Sequence, residues 1–239
     1  MSLFDVANQA LRDDLEAYAH ALRTIVATLP RTRGLCDRVI KETRLARALL
    51  AFADNQQLAD LNQITFQLTN LWPYREQAFA RTVGFEAEIE ETRWQREEAL
   101  RGVRALARLS GDPLAAEVSA CFTNIAQLLE EERALLGQCH ALIQPHAANI
   151  EISRKRLDLL VAMVDARLAA SPQQEQMLRT YNEAAVLLRD WEGGVPLDER
   201  GVQILEQCLG MLAQIDHLLG APDAPAEVEI IVEVGASPL

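Results

Sequence analysis

A chain of 239 residues with 49% hydrophobic residues can bury a sizeable core, as one large domain or two small ones. Its net charge of −12 and pI near 4.8 repel nucleic-acid phosphates and anionic lipid alike, which excludes a general electrostatic binder of either. Asp5, Asp13, Asp14 and Glu16 stand where a signal peptide needs a basic start and an uncharged apolar run, and no later stretch approaches the roughly 18 apolar residues of a membrane span. A soluble, cytoplasmic protein without membrane insertion is expected.

The first predicted helix is read from Phe4, Ala7, Leu11, Leu15, Tyr18, Leu22, Ile25 and Leu29, which fall on one face at spacings of three or four. Pro30 is expected to stop it, with RTRG as a short connection. A second helical region runs from about Leu35 to Trp72, through Val39, Leu45, Leu49, Leu58, Leu61, Ile64, Leu68 and Leu71. DNQQ at 54–57 can interrupt it, with Asp54 as the cap of a new helix, so one long helix and two shorter ones both fit.

Pro73 suits the first turn of the third helix, which should end near Gly111. Glu86, Glu88, Glu90 and Glu91 precede Arg101, Arg104 and Arg108, an order that suits the helix dipole only if the helix begins near Gly84. With a start at Pro73 those acids lie mid-helix and act through i,i+4 pairs instead.

The fourth region carries the strongest periodicity. Asp112 and Pro113 form a cap and a first-turn proline, and Phe122, Leu129, Leu136, Ile143, Ile150, Leu157 and Val164 then recur every seven residues. Because the phase survives Pro145, one kinked helix from about 113 to 170, roughly 85 Å long, is expected, with a hairpin at QPHAAN as the alternative. Ser171, Pro172 and Gln174 make a capping box for a helix with Met177, Tyr181, Ala184, Leu188 and Trp191 on its apolar face. After GGVP, Asp198 can cap the last helix, marked by Val202, Leu205, Leu209, Leu212 and Leu219 up to Gly220.

Residues 221–239 change character. APDAPA cannot continue a helix, and in EVEIIVEV the side chains of Val228, Ile230, Val232 and Val234 point one way while Glu229, Ile231 and Glu233 point the other, a half-buried strand pattern. The rest of the chain offers no second strand, so pairing would come from another molecule, either a partner's sheet or the same tail in a second subunit. A free terminus, or one packed on the chain's own helices, is the other reading.

Sequence signatures of catalysis, cofactor binding and metal binding are lacking, and none of the three is expected. Cys36, Cys121, Cys139 and Cys208 are widely spaced and read as small core residues of a reducing compartment. Glu16 and His20 form one i,i+4 pair, better suited to a surface salt bridge than to half of a metal site. Beside the seven-residue column runs a seam of Ile125, Glu132, Cys139, His146, Ser153 and Leu160, successive members about 10.5 Å apart. A polar seam of that kind fixes register and partner choice. Arg38, Lys41, Arg44 and Arg47, after Arg31 and Arg33, form a slanted basic band, either solvated and paired with acids such as Asp37 and Glu42 or a dock for an acidic partner, another copy of this chain included. Trp94, in the most charged part of the third helix, is either core or a contact surface.

The expected architecture is all-α: an elongated antiparallel helical bundle with coiled-coil character over residues 1–220, and a proline-containing linker with a β-prone tail over 221–239. The expected role is a non-enzymatic protein–protein interaction module, namely a scaffold, adaptor or assembly subunit that self-associates or joins a complex. Two alternatives are a helical-bundle enzyme or ligand sensor with a core site near Glu132, Cys139 and His146, and a chaperone for a secreted or assembling partner.

Overall fold

The computed structural model describes residues 3–53, 56–70, 85–109, 111–166, 172–189 and 198–219, and all regular structure among them is helical. In chain order the helices are α1 (Leu3–Leu50), α2 (Gln56–Ala59), α3 (Asn62–Asn70), α4 (Phe85–Leu106), α5 (Pro113–Ala166), α6 (Pro172–Arg189) and α7 (Glu199–Leu219), with a 3-10 turn at Ala107–Leu109 after α4. They form two compact units. A terminal unit comprises Met1–Ala17, Asn149–Asp190 and Ile204–Leu239, and a central unit comprises Tyr18–Ala148 and Trp191–Gln203.

The expected stop at Pro30 does not occur: α1 continues through it to Leu50. Leu11, Leu15, Tyr18, Leu22, Ile25, Leu29, Thr32, Cys36, Val39, Thr43, Ala46 and Leu50 are all buried, at alternating steps of four and three. That seam holds one phase on both sides of the proline. Pro30 lies on the exposed face of the helix. The local penalty of about 3 kcal/mol is outweighed by packing on either side. Beyond Leu50 the chain tightens, with Phe52 N donating to Leu49 O at 3.0 Å and Ala53 N to Leu50 O at 3.1 Å. The interruption anticipated around DNQQ is therefore found just before it, while Asp54 as a cap lies outside the described residues.

In the central unit α4 begins at Phe85, next to Gly84, with Glu86 and Glu88 in its first turn as the dipole argument requires. Residues 71–84, including Trp72 and Pro73, lie outside the description. The inner face of α4 is Phe85, Glu88, Thr92, Gln95, Ala99, Gly102 and Leu106. Gly102 lies against Phe122 of α5, so closely that an added Cβ would stand 2.8 Å from the ring's Cδ2. Arg96 Nε reaches Glu130 Oε2 at 3.0 Å, and His140 Nε2 lies 3.5 Å from Glu86 Oε1, which sets α4 antiparallel to α5. Leu58, Leu61, Ile64 and Leu68 of α2, α3 and the turn between them complete one core with Leu35, Val39, Val118, Phe122, Ile125 and Leu129.

The fourth region is one helix, α5, and not a hairpin. Asp112 caps it, its Oδ1 accepting from Leu114 N at 2.9 Å. Phe122, Leu129, Leu136, Ile143, Leu157 and Val164 are buried, and Pro145, like Pro30, sits on the exposed face.

In the terminal unit Pro172 opens α6, whose Met177, Tyr181, Ala184 and Leu188 are buried, as are Leu205, Cys208, Leu212 and Ile215 of α7, and Cys208 Sγ lies 3.9 Å from Ala184 O. Asn8, fully buried, joins three helices: its Nδ2 donates to Leu212 O at 3.1 Å and to Asp216 Oδ1, and its Oδ1 accepts from Tyr181 Oη at 3.2 Å. Ion pairs of Arg12 with Asp216 and of Arg156 with Asp14 flank that network. The cap expected of Asp198, which belongs to the central unit, is present, its Oδ1 accepting from Gly201 N at 3.0 Å. Ser171 and Trp191 lie outside the described residues.

Candidate functional site

The polar seam of α5 points inward. Glu132, Cys139 and Ser153 are buried and His146 is half-buried. They do not gather into one site. In the central unit Glu132 Oε1 accepts from Cys36 Sγ of α1 at 3.0 Å, while the His146 ring meets Tyr18 edge to face, with centroids 6.0 Å apart and an 84° interplanar angle. Ser153, in the terminal unit, has a buried Oγ without a hydrogen-bond partner among the described residues. The antiparallel register of α4 on α5 also brings Thr92, whose hydroxyl returns to Glu88 O at 2.7 Å, level with Glu132. Cys36, Thr92 and Glu132 thus make a polar layer inside the three-helix core. A layer of this kind disfavours sliding of the helices by one heptad, because a shifted carboxylate would face hydrocarbon.

All four cysteines are free and buried. Burial pushes the Cys139 thiol up, and it pushes Cys208 up to about 12. Cys121 is raised first by burial and then by the neighbouring carboxylate of Glu42, to which it hydrogen-bonds. Protonated thiols in these settings are poor nucleophiles and poor metal ligands. Among the described residues no group of three or more His, Cys, Asp or Glu side chains converges in a way that could hold a metal ion. Glu16 and His20 are both exposed on α1. Nor is any described helix long and apolar enough to cross a membrane.

The surface of the central unit has a sharper feature. Arg31, Arg33, Arg38, Lys41, Arg44 and Arg47 are all exposed on α1, and none forms an ion pair among the described residues. Of the acids expected to pair with them, Glu42 turns toward α5, where Cys121 and Asn124 Nδ2 (3.4 Å) engage it, and Asp37 remains exposed. The stretch 31–47 therefore carries a local charge of +4 inside a chain of −12. Apolar groups accompany these cations. Leu45 is half exposed, Phe52 is 79% exposed just past the end of α1, and Phe66 of α3 is 56% exposed. Arg47, Ala51, Asn62, Gln63 and Phe66 line an open groove of about 440 Å³. The cations of this surface are plain in the sequence, whereas its aromatic flank is assembled by the turn that brings Phe66 of α3 beside Arg47 and Ala51.

Trp94 is 41% exposed on α4, on the outside of the core. The candidate strand residues Val228, Ile230, Val232 and Val234 lie outside the described residues. The chain matches no known protein family, no curated protein and no solved structure.

Proposed function

We propose that this chain is a non-enzymatic protein–protein interaction module, a scaffold, adaptor or assembly subunit, that engages its partner through the outer face of α1 in the central unit. The observation that carries this reading is the exposed band of Arg38, Lys41, Arg44 and Arg47, without ion pairs among the described residues and flanked by the exposed side chains of Leu45, Phe52 and Phe66. Guanidinium groups beside aromatic surface are the composition of protein contact surfaces, where arginine and aromatic side chains supply most of the binding energy. An incoming carboxylate breaks no ion pair that these cations make among the described residues. The buried thiols suit a reducing compartment such as the cytoplasm.

A core enzyme or ligand sensor would need Glu132, Cys139 and His146 to converge on one cavity. Instead Glu132 is engaged by Cys36 and His146 by Tyr18. The test of the interaction reading is charge reversal of Arg38 and Arg44, compared with the unmodified chain by sedimentation velocity and by the set of proteins that co-purify with it. Loss of assembly or of a stoichiometric partner is the expected result. An unchanged assembly state together with an unchanged partner set rejects the reading.

A further inference from the structure

Resting on that reading, we infer that the occupant of the α1 band is the acidic C-terminal segment, residues 221–239, of a second copy of this chain. Charge is the first argument. The segment holds Asp223, Glu227, Glu229 and Glu233 and neither Lys nor Arg, and it is matched to a band that carries a local +4. An acidic protein repels its own copies over most of its surface, so a cationic patch and a purely acidic segment give a second copy one favourable way to dock.

Spacing is the second argument. An extended chain from Glu227 to Glu233 covers about 20 Å at roughly 3.3 Å per residue. Along α1, Arg33 to Arg47 covers about 21 Å at 1.5 Å per residue. Arg33, Arg44 and Arg47 lie within about 60° of one another around the helix, so an extended segment meets cations at both ends of that length. Apolar pattern is the third: Val228, Ile230, Val232 and Val234 alternate with the acids, and beside the cations the surface offers Leu45, Phe52 and the groove under Phe66. Docking of this kind is held by side chains and needs no sheet edge, and the described residues contain no strand. Nucleic acid or an anionic bilayer would answer the cations as well, but either would meet repulsion from the rest of the chain.

The experiment is light scattering of the full chain after size-exclusion chromatography, at about 50 mM and about 0.5 M salt, where screening lengths differ several-fold. Four proteins are compared: the unmodified chain, Arg44→Glu/Arg47→Glu, Glu229→Lys/Glu233→Lys, and the combination of all four changes. The α1 positions are exposed, and circular dichroism checks that helix content is retained. The expected result is a mass at least twice that of the monomer at low salt, a fall with either pair of changes or with high salt, and recovery in the combination. A monomer throughout overturns the proposal, as does a mass that neither pair alters. If the arginine pair lowers the mass and the glutamate pair does not, the occupant is a different acidic surface; the proposal fails while the interaction reading survives. If the arginine pair instead abolishes binding to vesicles containing phosphatidylserine with no change in mass, the partner is a bilayer and both fail.

Discussion

The thiol of Cys36 on α1 donates to the carboxylate of Glu132 on α5 at 3.0 Å, with both side chains buried. Removing the donor of a buried hydrogen bond leaves its acceptor partly unsatisfied, at a cost of about 1–3 kcal/mol. Cys36→Ala is therefore expected to destabilise the protein by roughly that amount. Glu132→Gln, which keeps the shape and an acceptor oxygen, should lose less. Urea unfolding measures both: the midpoint should shift with the slope unchanged, and no shift in Cys36→Ala would mean the thiol contributes nothing to holding the carboxylate.

Gly102 and Phe122 make a second sharp prediction. Alanine is favoured over glycine inside a helix by about 1 kcal/mol, so propensity alone predicts that Gly102→Ala stabilises. The contact predicts the reverse, since the new Cβ would stand 2.8 Å from a fully buried ring. Overpacking of that kind costs about 1–3 kcal/mol, so a net loss is expected. A raised melting temperature in Gly102→Ala would show that the ring yields readily.

Glu130 accepts from Arg133 Nη2 at 2.7 Å and pairs electrostatically with Arg96, whose Nε lies 3.0 Å from Oε2, and the hydrogen bond from Arg133 holds its carboxyl below the usual carboxylate range. A folded-state pKa below the unfolded value means that the unfolded chain binds the proton more readily as the solution is acidified. The contribution is thus present above the ordinary glutamate range and is lost as pH falls through the lowered value. Melting curves of the unmodified chain and Glu130→Gln should differ near neutral pH and converge in acid. A difference that persists in acid would trace it to packing and not to charge.

Cys208 works at the alkaline end, because burial lifts its thiol to about 12, well above the ordinary 9.0. Its stabilising contribution is complete below pH 9.0 and is lost as pH rises toward 12, because only the unfolded chain ionises in that window. Cys208→Ala should flatten the decline of stability between those limits. Native protein should also resist thiol alkylation at this position until it unfolds, which peptide mapping after labelling would show.

The two prolines separate what could be read in advance from what could not. At Pro145 the apolar column on either side kept one phase, and continuity followed from sequence. The same phase crosses Pro30, but it passes through Thr32, Cys36 and Thr43, which a search for hydrocarbon skips. Buried threonine is tolerated there because its hydroxyl can return to its own helix, as Thr43 Oγ1 does to Val39 O at 2.8 Å. Helix starts at Pro113 and Pro172 and the caps at Asp112 and Asp198 were likewise legible, because capping is settled within a few residues of chain.

Periodicity and capping act over neighbouring residues, which is why the helical class, the inward faces of the helices and several of their starts can be read from the amino acids in order. Packing between helices is what brings Glu132 to Cys36, the Phe122 ring to Gly102, and Glu42 away from the cations beside it to Cys121. Each of those pairings joins positions on different helices, and the register between two helices is set by the packing of whole faces, a quantity that no local stretch of sequence contains.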